Sequence, residues 1–136
     1  MAVVTLYRPV GLRELELIAA SGWKRFPPRL EWQPIFYPVL ERVYAEQIAL
    51  EWNTRDSFSG FLGAVTAFVL PEAVVSQYEV REVGGMIHRE LWIPAGELED
   101  MNDAIVGEIL LVRAYIGKGF SFPEDVSLRK MIEDVR

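Results

Sequence analysis

Between Phe61 and Leu70 the chain is apolar at every position except Gly63 and Thr66. A membrane-spanning helix needs roughly 20 such residues, so this run is too short for one. It reads instead as a β-strand buried on both faces. Covering such a strand takes a real core, and the chain has the means. A chain of 136 residues forms one domain by the usual size prior and buries about two-thirds of its unfolded surface. Hydrophobic residues make up 51% and charged residues 25%, which are globular proportions.

Other elements arrange themselves around that strand. Val3 to Val10 is β-branched and apolar and reads as a first strand. Gly11 to Gly22 reads as a helix, with Leu12, Leu15, Ile18 and Ala19 on one face and Gly22 as its stop. Phe26 to Pro38 holds Pro27, Pro28, Pro34 and Pro38, which forbid a helix and favour a stiff extended loop. Glu41 to Asn53 is the clearest helix, with Tyr44, Ile48 and Trp52 stacked at i, i+4, i+8 beside Ala45 and Ala49. A loop over Asn53 to Gly60 leads into the central strand. One helical turn is expected over Pro71 to Ser76, and strands over Tyr78 to Val83 and Met86 to Ile93 about a Gly84-Gly85 turn. A short helix is expected over Pro94 to Asp103, and a last strand over Ile105 to Tyr115. This order predicts an α+β fold with a mainly antiparallel twisted sheet and two or three helices. The expected domain is 1–116. Residues 117–136 form a C-terminal tail in which Pro123-Glu124-Asp125 can open a short helix docked by Val126, Ile132 and Val135.

Composition removes many functions. The chain has no cysteine and one histidine, which excludes disulfide frameworks, thiolate metal sites, a cysteine nucleophile and multi-imidazole centres. Its 20 acids against 14 bases, net −6, disfavour nonspecific binding to nucleic acid or anionic lipid. The start, Met1 to Leu6, lacks the pattern of a signal peptide, so a cytoplasmic location is expected, with no membrane association. There is no G-x-G-x-x-G, P-loop, H-E-x-x-H or G-x-S-x-G motif.

Three sets of residues could carry chemistry. Period-two geometry puts His88 and Glu90 on one face of a strand, flanked by Met86 and Trp92, while Ile87, Leu91 and Ile93 face the other way with Arg89 among them. The first face could form a cleft wall; the plainer reading is a solvated face with an incidental ion pair. Arg8, beside Tyr7 at the end of the first strand, suits a phosphate or carboxylate fork, or is simply a surface arginine before a turn. Arg29, Trp32, Phe36 and Tyr37 in the proline-rich loop can form a stacking surface for a flat ring, or anchor that loop.

Several segments resemble a small bacterial family whose automatic label pairs ADP-ribosylation with crystallin-like ADP-ribosylglycohydrolases. They are Val4-Thr5-Leu6-Tyr7-Arg8-Pro9-Val10-Gly11, Phe26-Pro27-Pro28-Arg29, Phe36-Tyr37-Pro38-Val39-Leu40, Tyr44-Ala45-Glu46-Gln47-Ile48-Ala49 and His88-Arg89-Glu90-Leu91-Trp92-Ile93-Pro94-Ala95. Glycohydrolases of that type are long, all-helical and bind two magnesium ions through clustered aspartates, features this chain lacks. The remote resemblance to ADP-ribosyltransferase folds is the better match. There, an Arg or His on the first strand helps hold the dinucleotide, and a late strand carries Glu-x-Glu or Gln-x-Glu whose second acid is catalytic. Tyr7-Arg8 is similar to the first element and His88-x-Glu90 to the last, with His88 where the family has Glu or Gln. The family's middle element, Ser-Thr-Ser or a Tyr, has Tyr37 and Tyr44 as stand-ins.

The resemblance implies an NAD-dependent ADP-ribosyltransferase or glycohydrolase, or a domain that binds NAD or a related nucleotide. Glu90 would stabilise the oxocarbenium-like ribose, and Arg8 would pair with the pyrophosphate. Trp92 or Tyr37 would pack on nicotinamide, and His88 would orient Glu90 or the acceptor; no metal is required. The alternatives are a non-catalytic domain for a small ligand or a protein surface, and an accessory protein that binds a protein partner through its C-terminal tail.

Overall fold

A computed structural model of the chain describes residues 1–85 and 88–136. The expected flanking residues Met86 and Ile87 lie outside the described residues. The first strand, β1, spans Val3–Val10 and is followed by helix α1, Leu12–Ala20. Gly22 ends that helical segment with φ +77°, the left-handed conformation that glycine adopts without a steric penalty. The proline-rich loop contributes only a two-residue strand, β2, Ile35–Phe36. Helix α2, Arg42–Glu51, precedes two 3-10 turns at Asn53–Arg55 and Ser57–Ser59.

The apolar run forms β3, Leu62–Pro71, and its first seven residues are all buried. After it come one helical turn, α3, Glu72–Val75; strands β4, Glu79–Glu82, and β5, Arg89–Pro94; helix α4, Leu98–Ala104; strand β6, Leu110–Ile116; and helix α5, Val126–Val135. The fold is α+β with antiparallel pairing throughout.

Three expectations need correction. Among the described residues the strands form two three-stranded sheets, β1-β3-β6 and β2-β5-β4, rather than one. Five α-helices are present among the described residues, not two or three. The last strand begins at Leu110 instead of Ile105, because Gly107 turns the chain with φ +76° and Ile109 is buried in the core before pairing begins.

One residue joins the two sheets. Val39 N donates to Tyr7 O at 2.7 Å, Tyr7 N donates to Val39 O at 2.9 Å, and Val39 also bridges to Glu90. On its flanks, Leu91 N donates to Pro38 O and Leu40 N to Arg89 O. Pro38 has no backbone N–H to give, so the proline-rich segment pairs irregularly and lies as a narrow strip between β1 and β5. That strip brings the end of the first strand near the acid on the late strand.

The main core cluster includes Leu6, Phe26, Phe36, Phe68, Leu91 and Ile132. A smaller cluster of Val39, Ala45, Ala49 and Val65 lies beneath α2. Here the helix backbone sits almost on the strand: a Cβ built on Gly63 would come 2.1 Å from Ala49 O. Among the described residues no helix is long and apolar enough to cross a membrane.

Candidate functional site

Helix α2 spends its two apolar stripes differently. Ala45 and Ala49 are buried against the sheet, because small side chains allow the close approach at Gly63. Tyr44, Ile48 and Trp52, the larger stripe, line a cavity of about 540 Å³. That volume lies within the usual range for small-molecule sites. The opposite wall comes from the end of β1, the start of α1 and the proline-rich loop, through Arg8, Glu14, Arg29 and Tyr37.

Glu90 also lines this cavity. It is only 9% exposed, and both carboxylate oxygens are held. The Tyr44 hydroxyl donates to Oε2 at 2.6 Å and Trp92 Nε1 donates to Oε1 at 3.0 Å. Strand alternation places Trp92 two residues from Glu90 on the same face, which permits the second bond. Burial, followed by the bond to Glu90, pushes the Tyr44 phenol well above the ordinary tyrosine value. Tyr44 therefore stays protonated and donating at neutral pH.

On this face Glu90 is buried, and it is held by Tyr44 and Trp92 rather than by His88. The His88 ring packs on Tyr44, with centroids 4.7 Å apart, and His88 Nε2 lies 2.9 Å from Gln47 Oε1. Leu91 and Ile93, on the opposite face, are fully buried, as period two predicts.

Arg8 is not a surface side chain. It is 6% exposed and shares the inward face of β1 with Leu6 and Val10. Its Nε and Nη2 donate to the two carboxylate oxygens of Glu14 at 2.7 and 3.1 Å. Its guanidinium lies 4.5 Å from the Phe36 ring centroid and 6.0 Å from that of Tyr37. The pyrophosphate partner expected for Arg8 is thus matched in the structure by a carboxylate of the protein itself.

The cavity brings together Arg8, Tyr37, Tyr44 and Glu90. Tyr7, His88 and Trp92 are not among its lining residues. Tyr7 points to the other face of β1, packed on the cluster beneath α2. Trp92 holds Glu90 from behind and carries Arg81 4.2 Å from its ring centroid.

Sequence reasoning missed Glu14, and it assigned Arg29 no charge role. Glu14 is reached because the Pro9-Val10-Gly11 reversal folds α1 back on β1; an acid six residues past Arg8, in the first turn of a helix, was the available signal. The rim was missed as well. Trp52 is 60% exposed and Phe58 79% exposed, beside a buried Asn53–Ser59–Asp56 hydrogen-bond chain. Among the described residues no group of three or more Asp, Glu or His side chains is placed to hold a metal ion. Comparison with protein-family models, curated proteins and solved structures finds no match to this chain.

Proposed function

We propose that the cavity binds a nucleotide, with NAD the leading candidate, and that Glu90 acts beside the ribose as the ADP-ribosyltransferase resemblance implies. The observation that carries this reading is the convergence of Arg8, Tyr37, Tyr44 and Glu90, from four separate segments, on one cavity. A guanidinium end suits phosphate, an aromatic wall suits a ring, and a buried carboxylate suits a sugar that develops positive charge.

In this reaction the bond between ribose C1′ and the nicotinamide nitrogen breaks, and its electron pair neutralises the pyridinium. C1′ becomes oxocarbenium-like and is captured by the acceptor's nucleophile, which loses its proton. With water as acceptor the products are ADP-ribose, nicotinamide and a proton. Glu90 opposes the sugar's charge with a carboxylate already oriented by Tyr44 and Trp92, so little reorganisation is needed in the transition state. His88 acts through the Tyr44 ring on which it packs, rather than on Glu90 directly.

A second reading, a ligand-binding domain without catalysis, is favoured by one observation. Glu90 already accepts two hydrogen bonds and Arg8 is already paired.

Incubation with NAD, with released nicotinamide measured by chromatography, tests the first reading. Wild type should release nicotinamide, and Glu90→Gln should slow release by about a hundredfold, the scale of losing one electrostatic stabiliser. NAD that raises the melting temperature without release would leave the binding reading. Neither release nor a thermal shift would sink both.

A further inference from the structure

Arg8 and Arg29 share Tyr37, but only Arg8 has a carboxylate partner. Their guanidinium carbons lie 6.0 and 5.9 Å from the Tyr37 ring centroid, and both line the cavity. The charge of Arg8 is spent on Glu14. Arg29 is half-buried, and its Nε donates to Ile35 O at 3.1 Å. That bond anchors the side chain, and among the described residues its two terminal nitrogens make no hydrogen bond. Among the described residues Arg29 makes no ion pair. Its cation is disfavoured first by burial and then by repulsion from Arg8, which together lower its pKa although Glu14 and Tyr37 act against them. Arg13 lies on the same rim. The cavity is lined by three arginines, Arg8, Arg13 and Arg29, and by three carboxylates, Glu14, Asp56 and Glu90; among the described residues only Arg8 of these arginines is held in an ion pair, with Glu14.

A half-buried guanidinium with no acidic partner is stabilised when an anion completes it. The open side of Arg29 presents a two-nitrogen fork, the geometry that recognises phosphate oxygens.

Resting on the nucleotide reading of the same cavity, we propose that Arg29 is the phosphate-binding residue. The cavity takes a ligand bearing a pyrophosphate or a phosphate monoester, seated on the terminal nitrogens of Arg29. The Arg8–Glu14 pair serves as a fixed, charge-balanced platform against which Tyr37 lies. The net charge of −6 makes a local cation without an acidic partner, such as Arg29, the group able to hold an anionic ligand, because the global field repels it.

Titration calorimetry of wild type, Arg29→Gln and Arg29→Lys tests this, with ADP, inorganic pyrophosphate, adenosine and succinate as probes. Wild type should bind ADP and pyrophosphate. Arg29→Gln should weaken both by about tenfold or more, as expected for losing a charge-assisted contact, and leave adenosine unchanged. Arg29→Lys, which keeps the charge and loses the fork, should fall between. Should thermal melts show that Arg29→Gln does not fold, Arg29→Lys carries the test, with ADP weakened and adenosine unaffected. Unchanged ADP affinity in the folded variant overturns the proposal. So does wild-type protein that binds neither ADP nor pyrophosphate, or that takes succinate as tightly as pyrophosphate. Absence of nicotinamide release from NAD, together with Arg29-dependent ADP binding, would remove the proposed reaction and leave this phosphate site standing.

Discussion

Tyr44 holds one oxygen of a buried carboxylate and carries the imidazole ring of His88. Tyr44→Phe keeps the ring stacking and deletes only the donor to Glu90 Oε2. Leaving a buried acceptor without its partner costs about 1–3 kcal/mol, and urea unfolding at neutral pH should report a loss in that range. The same bond makes stability depend on alkali. The folded phenol ionises above the ordinary value near 10, so the folded state holds its proton more tightly than the unfolded chain does. The contribution is complete below the unfolded value and is lost as pH rises through the folded one. Tyr78, raised by burial and by Glu97, adds a share of the same sign. Wild type should therefore lose stability faster than Tyr44→Phe between neutral pH and pH 11 or so, while the Tyr78 share cancels between the two proteins. Parallel curves would show that the Tyr44–Glu90 bond does not set this dependence. At this scale the sequence is informative wherever chemistry follows strand alternation: Glu90 and Trp92 had to share a face. It is silent where a turn must be known first, as with Arg8 and Glu14.

The elements that build the cavity depend on how closely α2 lies on β3. Gly63 allows that approach, since a Cβ there would meet Ala49 O, C and Cα at 2.1, 2.6 and 2.8 Å. These are backbone atoms, so relief requires the helix to move rather than a side chain to rotate. Gly63→Ala should cost about 1–3 kcal/mol, the range for overpacking. It should also weaken ligand binding, because Tyr44, Ile48 and Trp52 ride on the displaced helix. Gly96 is the control: nothing lies within 4 Å of a Cβ there, and Gly96→Ala should stay within about 0.5 kcal/mol. Equal melting temperatures for the two variants would mean that the close helix–strand contact is not a constraint. The boundaries of β1, α1 and β3 were legible because each rests on local periodicity with a Gly or Pro at its end, and α2 was legible from its periodicity alone. Strand β2 was not, since two residues inside a proline-rich loop become a strand only through a partner distant in sequence. Ile105 to Ile109 misled for a related reason: an apolar segment that docks into a core and one that pairs as a strand look alike until the fold is known. The apolar face of α2 was visible too, but not its division between sheet and cavity, which depends on the glycine opposite.

For the molecule as a whole, the question is what α5 does. A boundary at residue 116 treats the remainder as a tail, yet Leu128 and Ile132 are 4% and 0% exposed and belong to the same core cluster as Leu6 and Phe68. The helix is capped in a way that favours its formation, with the Asp125 carboxylate accepting from Leu128 N at 2.9 Å. Val126, expected to help dock it, is 78% exposed, because the first turn faces solvent and the buried stripe falls at i and i+4 from Leu128. If α5 completes the core, Ile132→Ala should cost about 2–5 kcal/mol, as for other large-to-small changes at buried sites. Val126→Ala should cost no more than about 0.5 kcal/mol. The whole protein should still unfold in a single transition, since one cluster links α5 to both β1 and β3. If residues 117–136 are instead a separable tail, Ile132→Ala will leave the main transition unchanged and melt only the local helix. Circular dichroism melts alongside tryptophan fluorescence distinguish these outcomes. The four tryptophans all lie outside α5, so a fluorescence midpoint that falls with Ile132→Ala means that the loss has travelled through the core.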